Sequence, residues 1–450
     1  MHSAALVERT THRRQRCVTA PTRTQLRSAT ARPRPRARGV RDCRRVLARC
    51  PAWGEQRQPL FDHVERTNTA PSTHQESSFE FLNRIAGDYW EHPRALMQEW
   101  LDRIPSAQEY NDLRQRFRSR DDEQFRSAFL ELYLHESLIR TGYTVTIHPE
   151  VQGTTRRPDF LAERDDIRFF IEAIAPGSTP ADKAAAQRRA VLFDTVNRLG
   201  DPNFMLWLDE LKEGPSPPAS ARLRRDFRRW LGSLDPDAPW DPDAAPTRRW
   251  EHEGWVVTFR AVPKKPEARG TRPNGRTIGV YGHTGVGFID DAPAIKKALA
   301  TKHHEYGDLG ASFIIAVGTY IHDRDRWHSG NAMYGHVAVQ IGEAPDGSMV
   351  TREVRQPDGY FGTPPDWANR NVSGVLLVNQ LMPYCVQRAE TTLWRHPNPV
   401  HELPDVIGLP GDTLSLADTT LVEVAAPARA DQLFGLADPW PPGEAWPDDE

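Results

Sequence analysis

The spacing of apolar residues along the chain is most regular over residues 122–140. Phe125, Phe129 and Leu132 recur three and four positions apart, which places their side chains on one side of a helix. Two aspartates stand at the beginning of this stretch and Gly142 follows its end, as is typical of helix start and stop signals. The pattern therefore predicts an α-helix over 122–140.

Three shorter segments after this helix have the apolar patterns of β-strands. They cover residues 143–151, 157–162 and 167–175 and are joined by short turns. A helical pattern over 181–199 and a mostly apolar strand over 203–208 follow. Counting the first helix, the order is α-β-β-β-α-β. This order predicts an α/β fold class with a mixed sheet flanked by helices.

The remaining patterns define what precedes and follows this core. Leu96, Trp100 and Ile104 indicate a helical N-terminal preface with a break at Pro93. A basic amphipathic helix closes the core. Later, a helix and a strand near 291–319 form another α-β unit, which either extends the first sheet or builds a second lobe. The predicted divisions are a disordered Arg/Pro-rich tail over 1–76, the preface over 77–120, the core over 121–234, a linker over 235–249, a C-terminal α/β extension over 250–400, and an acidic Pro-rich tail, ordered only in part, over 401–450.

Charge is distributed unevenly along the 450 residues, although the net charge is only -3. The first 50 residues carry 14 arginines and 2 acids, a net +12, while the remaining 400 carry 44 basic and 59 acidic residues, a net -15. The basic tail has three readings: a nucleic-acid-binding arm, a segment resembling an organelle transit peptide, or sequence translated upstream of the true start. Because the body is mildly acidic, any contact with a polyanion must be local.

Cysteine content and hydropathy bear on the setting of the protein. Three of the four cysteines lie in the first 50 residues, and their spacing forms neither a disulfide framework nor a metal motif. No apolar run approaches the length of a membrane span. We therefore expect a cytoplasmic protein with no membrane partner.

Two acidic residues on neighbouring predicted strands form the candidate site. Glu172 lies in an otherwise apolar strand, where a buried carboxylate is costly unless a charged or hydrogen-bonding group meets it. Asp159 lies on the preceding strand, and the turn at Asp165-Asp166 suits a tight antiparallel hairpin that brings the two acids together. Carboxylates so placed repel each other unless a hard cation lies between them, so the pattern predicts a Mg²⁺ or Mn²⁺ site.

Pro158-Asp159, the glutamate of the next strand and the order α-β-β-β-α-β resemble the PD-(D/E)xK nuclease superfamily, which has the restriction-endonuclease-like fold. The resemblance covers about 122–210. It implies that Asp159 and Glu172 bind Mg²⁺ and that an acid of the first helix assists, with Glu131 the better match and Glu136 the second. It also implies that a metal-held water attacks the phosphodiester.

The chain departs from this family at the motif lysine, which stands two residues after the glutamate. That position is Ile174, which can neither donate a hydrogen bond nor carry charge. Some members of the superfamily supply the lysine from a neighbouring helix. Lys183, with Gln187 one turn later, is the candidate nearest in sequence, and Lys302, four residues before Tyr306, is a more distant one.

Arginines supply the predicted contacts with nucleic acid. They would hold phosphates without reading base sequence, and DNA is the expected partner rather than RNA. Two of them directly precede Asp159, and three lie on the predicted basic helix. The residues are Arg156, Arg157, Arg222, Arg225 and Arg229.

Other interpretations remain open from the sequence alone. Asp159 could be a surface residue at the start of a strand, and Glu172 could pair with an arginine such as Arg168 or Arg188. The domain could also be a degenerate nuclease fold that binds nucleic acid or protein without cleavage. A third interpretation is a small-molecule enzyme with a deep pocket lined by residues 280–400.

Overall fold

A computed structural model of the chain describes residues 57–270, 276–281, 290–302 and 305–446. Within these residues the protein is α/β, with nine α-helices and a large mixed sheet. The helices are α1 (Ser78–Arg84), α2 (Asp88–Asp102), α3 (Ala107–Phe117), α4 (Asp122–Arg140), α5 (Pro180–Asn197), α6 (Ser220–Leu231), α7 (Ala292–Ala300), α8 (Trp327–Tyr334) and α9 (Ala430–Phe434).

The described strands form three sheets. They are β1 (Thr144–Ile147), β2 (Phe160–Arg164), β3 (Ile167–Ile174), β4 (Phe204–Lys212), β5 (Thr247–His252), β6 (Trp255–Pro263), β7 (Ile278–Tyr281), β8 (Ser312–Thr319), β9 (Val337–Glu343), β10 (Met349–Arg355), β11 (Gly374–Asn379), β12 (Glu390–Arg395), β13 (Asp412–Ala417) and β14 (Thr420–Val424).

The largest sheet has eight strands in the order β1-β2-β3-β8-β11-β12-β13-β14. The first three strands are antiparallel neighbours, as the short turns between them predict. Strands β3, β8 and β11 then run parallel to one another. Helix α7 and strand β8 therefore extend the first sheet, which decides between the two arrangements that the sequence left open.

The position of β4 differs from the prediction. Residues 203–208 were expected to complete the first sheet, but β4 instead lies in a separate four-stranded sheet, in the order β5-β6-β4-β7. The strand β6 alone covers most of the length of β4, and Leu206 and Leu208 pack into a third cluster of apolar residues with α6. The order α-β-β-β-α-β in the large sheet thus runs from α4 to β3 and then through α7 and β8, and residues 180–281 lie between them.

The two faces of the large sheet are covered by different helices. Phe169 and Ile171 face α4 and the N-terminal helices in one apolar cluster. Phe170 and Ile174 face α7, whose Ile295 belongs to the second cluster. The alternation of side chains along β3 therefore places Glu172 on the side of the sheet that α7 covers.

The helical preface forms as predicted, except at Pro93, which lies inside α2 instead of breaking the helix. The missing N–H of a proline removes one helical hydrogen bond, but the burial of Leu96, Met97 and Trp100 outweighs that loss. Helix α3 begins after Ser106, whose side chain accepts a hydrogen bond from the backbone N–H of Glu109 and caps the helix.

Both ends of the described chain are more ordered than the composition indicated. Residues 57–76 were predicted to be disordered, yet Leu60 and Phe61 are buried and the Gln58 carbonyl accepts a hydrogen bond from Tyr110. Near the C-terminus, β13 and β14 form the edge of the large sheet. The predicted disorder of residues 1–56 falls outside the described residues. Among the helices described, none is long and apolar enough to cross a membrane.

Candidate active site

The pairing of β2 with β3 brings the two predicted acids together. Phe160, the first residue of β2, pairs with Ile171 in antiparallel register, so Asp159 directly precedes the paired strand and Glu172 directly follows Ile171. The Asp159 Oδ2 atom accepts a hydrogen bond of 2.7 Å from the backbone N–H of Ala173, the residue next to Glu172. Asp159 therefore contacts the backbone of β3 beside Glu172, and its negative charge acts on the Glu172 carboxyl group.

Glu172 is buried, with 3% of its surface exposed, and both of its carboxylate oxygens have cationic or hydroxyl partners. The Lys302 Nζ atom lies 2.6 Å from Oε1, and the Tyr306 hydroxyl donates a hydrogen bond of 2.7 Å to Oε2. Burial, followed by the negative charge of Asp159, raises the pKa of Glu172 to about 7, although Lys302 and Tyr306 oppose this shift. Burial lowers the pKa of Lys302, but the bonds and charges of Glu172 and Glu305 together outweigh burial and raise that pKa overall.

Glu131 projects from α4 towards the same end of the hairpin. The Arg116 guanidinium donates two hydrogen bonds to its carboxylate, of 2.6 and 2.5 Å. Burial raises the pKa of Glu131, Arg116 opposes that shift, and the charge of Asp159 adds to it. The negative charge of Asp159 therefore acts on both Glu131 and Glu172.

The second acid considered on this helix, Glu136, has different partners. It is fully buried and its Oε1 atom accepts hydrogen bonds from Arg103 and Arg140. Burial raises its pKa, and its nearest acidic influence is Glu99 rather than Asp159. Of the two helix acids, Glu131 is the one that the fold brings to Asp159.

The two candidate lysines have different ion-pair partners in the structure. Lys183 lies in the first turn of α5, and its Nζ atom is 2.8 Å from Asp121 and 2.6 Å from Glu123, with neither Asp159 nor Glu172 among its ion-pair partners. Lys302 follows α7 and contacts Glu172 directly. Lys302 therefore reaches Glu172 from the segment that follows α7, on the face of the sheet that α7 covers.

A small cavity lies beside Asp159. Its volume is about 20 Å³, and its lining includes Glu131, Asp159 and His148. This space is close to the minimum that one water molecule requires. His148 was not identified from the sequence, because a single histidine before a loop gives no signal. Its contact with Asp159, and then Glu109, raises its pKa to about 9 against the opposing effect of burial.

The arginines predicted to hold phosphates fall into two groups. Arg156 forms an ion pair with Glu305, and the Arg157 guanidinium lies 2.6 Å from Glu150, so acids of the protein already neutralise both. The three arginines of α6 differ, since they are exposed and no ion pair involves them among the described residues. These are Arg222, Arg225 and Arg229.

The oxygen-rich site suits a hard cation by the chemistry of its ligands. Asp159, Glu131 and Glu172 offer carboxylate oxygens, which Mg²⁺ and Mn²⁺ prefer, and Mg²⁺ commonly uses only one or two protein carboxylates. Within the part of the chain that the structure describes, no group of three or more histidine, cysteine or acidic side chains is arranged to hold a metal ion. An ion bound there would therefore need water or substrate oxygens to complete its coordination.

A separate concavity of about 320 Å³ lies at the ends of β8 and β11. Thr319, Asn379 and Thr391 line it, together with Asp412 from beyond residue 400. It occupies the region in which the small-molecule interpretation expects a pocket. Its position is distinct from the hairpin that carries Asp159.

Comparison of the chain with protein-family models, with curated proteins and with solved structures finds no match in any of the three.

Proposed function

We propose that this protein is a Mg²⁺- or Mn²⁺-dependent nuclease of the PD-(D/E)xK type that hydrolyses phosphodiester bonds, in DNA rather than RNA. The observation that carries the proposal is that Asp159 bonds the backbone of β3 beside the buried Glu172, to which Lys302 is bonded. An acid pair with an adjacent lysine is the arrangement that this chemistry requires.

The topology of the large sheet supports the proposal. One helix, α4, precedes three antiparallel strands, and a second helix, α7, leads into β8, which pairs in parallel with β3. The resemblance to the superfamily implies the same order, α-β-β-β-α-β, and on this proposal residues 180–281 would be an insertion between β3 and α7. Such an insertion would explain why the lysine is distant from the acids in sequence.

Each residue of the site has a distinct role in the proposed reaction. Asp159 and Glu172 would bind the metal ion, and Glu131 would act as an auxiliary ligand or orient the attacking water. When bound, the ion would supply an activated water and neutralise charge that develops on the phosphate. Lys302 would hold Glu172 in its ionised, metal-binding form and offer positive charge beside the phosphate.

Tyr306 is the second hydrogen-bond donor to the Glu172 carboxylate, after Lys302. Its hydroxyl lies within hydrogen-bonding distance of both Glu172 and the carbonyl oxygen of Arg157. Since Arg157 precedes Asp159 by two residues, this hydroxyl links the segment after α7 to the residues just before β2. Tyr306 is therefore a positioning residue, which fixes the carboxylate without contacting substrate.

A metal-dependent cleavage assay tests the proposal. Supercoiled plasmid, linear duplex and single-stranded DNA would be incubated with the protein in Mn²⁺, Mg²⁺ or EDTA, beside RNA of the same sequence. We expect cleavage of DNA in Mn²⁺ or Mg²⁺, none in EDTA, and none in Asp159→Ala or Glu172→Ala when circular dichroism shows that both variants fold. Cleavage that persists in Glu172→Ala would overturn the proposal.

A second function is favoured by one observation, namely that protein cations already neutralise the acids. Arg116 binds both oxygens of Glu131, and Lys302 and Tyr306 bind those of Glu172. This arrangement also suits a degenerate nuclease fold that binds nucleic acid without cleaving it. That alternative predicts salt-dependent DNA binding that survives both alanine substitutions, with no cleavage in any metal.

A further inference from the structure

A cavity of about 230 Å³ opens where β3 and β8 end, between α4 and α7. These two strands are parallel neighbours, and ligands of α/β proteins commonly bind outside the carboxyl ends of parallel strands. Ala175, Pro176 and Ile295 form an apolar part of its wall, while Arg126 and Tyr320 bring a charge and an aromatic ring. We refer to it as the Arg126 pocket.

Arg126 is the residue of this pocket whose hydrogen-bonding capacity the protein leaves unsatisfied. Its Nε atom is buried and has no hydrogen-bond partner, and no ion pair involves Arg126 within the described ranges. A buried donor without an acceptor destabilises the fold, and more so when the group is charged. Other cations of α4 and its surroundings are paired, as Arg116 is with Glu131 and Lys183 with Glu123. Arg126 is therefore poised to bind an anion from outside the chain.

The aromatic partner of Arg126 is held in place. The guanidinium carbon lies 4.5 Å from the centre of the Tyr320 ring, and the Tyr320 hydroxyl donates a hydrogen bond of 2.7 Å to the carbonyl of Leu381. The ring is fixed with the guanidinium stacked on it, and Tyr320 as a residue is 39% exposed. Such surfaces stack well on nucleobases.

The acids that line the pocket restrict the ligand further. Glu123 pairs with Lys183, which also pairs with Asp121, and accepts a hydrogen bond from the backbone N–H of Ser178, so its carboxylate is already engaged within the protein. Asp291 lies on the opposite side, at the beginning of α7, and can accept a hydrogen bond from an amine or hydroxyl. A ligand with an anionic group at one end and hydrogen-bond donors at the other therefore fits better than a bare anion.

We propose that the Arg126 pocket binds a single nucleotide unit, with its phosphate on Arg126 and its base against Tyr320. This inference deepens the proposed function and rests on it for the choice of nucleotide. The unit could come from a free nucleoside monophosphate or from a nucleic-acid strand, because both present the same phosphate and base. Ala175 follows Glu172 by three residues, about 10 Å along an extended chain, so a strand at the acid site would pass close to the pocket.

Calorimetric titration of the full chain in EDTA tests this inference without metal or cleavage. The probes are deoxyadenosine monophosphate, deoxyadenosine, inorganic phosphate and a four-nucleotide single strand without terminal phosphates. We expect the monophosphate to bind at least 10-fold more tightly than either the nucleoside or phosphate alone. In Arg126→Ala the monophosphate should lose at least 10-fold in affinity, and in Arg126→Lys the loss should be smaller, because lysine keeps the charge but not the stacking plane.

The control and the contrary outcomes separate the two proposals. Arg352→Ala removes an exposed arginine from β10, on another sheet, and should leave nucleotide binding unchanged. If the Arg126 variants lose affinity for the short strand as well as for the monophosphate, the pocket binds the substrate strand. If they lose affinity for the monophosphate alone, the pocket binds free nucleotide. Undiminished binding in both folded Arg126 variants, or no binding of any probe, would overturn the inference even if metal-dependent cleavage were observed.

Discussion

The acid site of the large sheet and the basic helix α6, which packs on the four-stranded sheet, differ in the burial and pairing of their charged groups. Glu172 is buried, bonded to Lys302, and has a pKa raised to about 7. The arginines of α6 are exposed and, among the described residues, enter no ion pair, while Leu223 and Phe227 anchor the other face of the helix. Buried, coupled charges suit chemistry, whereas exposed, unpaired charges suit binding to a polyanion.

This comparison separates catalysis from binding. Substitutions at the acid site should abolish turnover and leave affinity for DNA nearly unchanged. Substitutions on α6 should weaken affinity and leave the rate at saturating substrate nearly unchanged. Each prediction below tests one side of that division.

The largest effect is expected from neutralising either acid of the pair. Asp159→Asn and Glu172→Gln should each lower the rate of DNA cleavage by about 10³-fold or more, because each removes a ligand charge at the proposed metal site. Single-turnover cleavage measures the rate, and filter binding in Ca²⁺ measures affinity. Glu163→Gln, an exposed glutamate on the same hairpin, is the matched control and should retain full activity. A 10³-fold loss of affinity in either variant would contradict the division.

The next largest effect on cleavage is expected from replacing Lys302. Lys302→Met should lower cleavage by about 10²-fold, and Lys183→Met should have little effect, since only Lys302 contacts Glu172. Loss of Lys302 also removes the charge that lowers the pKa of Glu172, so this pKa should rise above its present value of about 7. The pH–rate profile should therefore shift to higher pH in Lys302→Met, an effect that mere destabilisation would not produce. Equal losses in the two lysine variants would contradict this assignment.

These outcomes depend on arrangements that the sequence could predict only in part. The helix over 122–140 and the three strands after it were predicted closely, because local periodicity and turn residues determine them. The sheet membership of β4 was not, since two α-β units follow β3 and local pattern does not reveal which of them pairs with it. The link between Tyr306 and Glu172 spans 134 residues, so sequence proximity favoured Lys183 over Lys302.

A smaller effect is expected on the basic helix. Replacing Arg222, Arg225 and Arg229 together by alanine should weaken DNA binding by about 10- to 100-fold at moderate salt. Affinity decreases as salt rises, and the steepness of log affinity against log salt should decrease by about 2–3, since each phosphate contact contributes about 0.9 to it. The rate at saturating DNA should stay within about 2-fold of the original rate. Arg352→Ala serves as the single-charge control, and an unchanged salt slope in the triple variant would exclude α6 as a phosphate-binding surface.

The smallest effect concerns stability at the edge of the acid site. The pKa of His148 is raised to about 9 in the folded protein, so its ion pairs stabilise the fold fully below about pH 6.5 and are lost as pH rises through 9. Because 38% of the side chain is exposed, solvent screening should limit this contribution to under about 1 kcal/mol. Urea unfolding at pH 6.5 and pH 9.5 should show this decline, and His148→Gln should reduce it. A larger decline in the variant would contradict the assignment.

Direct titration with Mn²⁺ tests most simply whether the two acids bind one hard ion. Electron paramagnetic resonance detects free aqueous Mn²⁺, so the bound fraction follows from the loss of that signal. We predict one Mn²⁺ per chain, with affinity reduced at least 10-fold in both Asp159→Asn and Glu172→Gln and retained in Glu163→Gln. Absence of Mn²⁺ binding by the original chain, or equal affinity in all four proteins, would contradict the central claim.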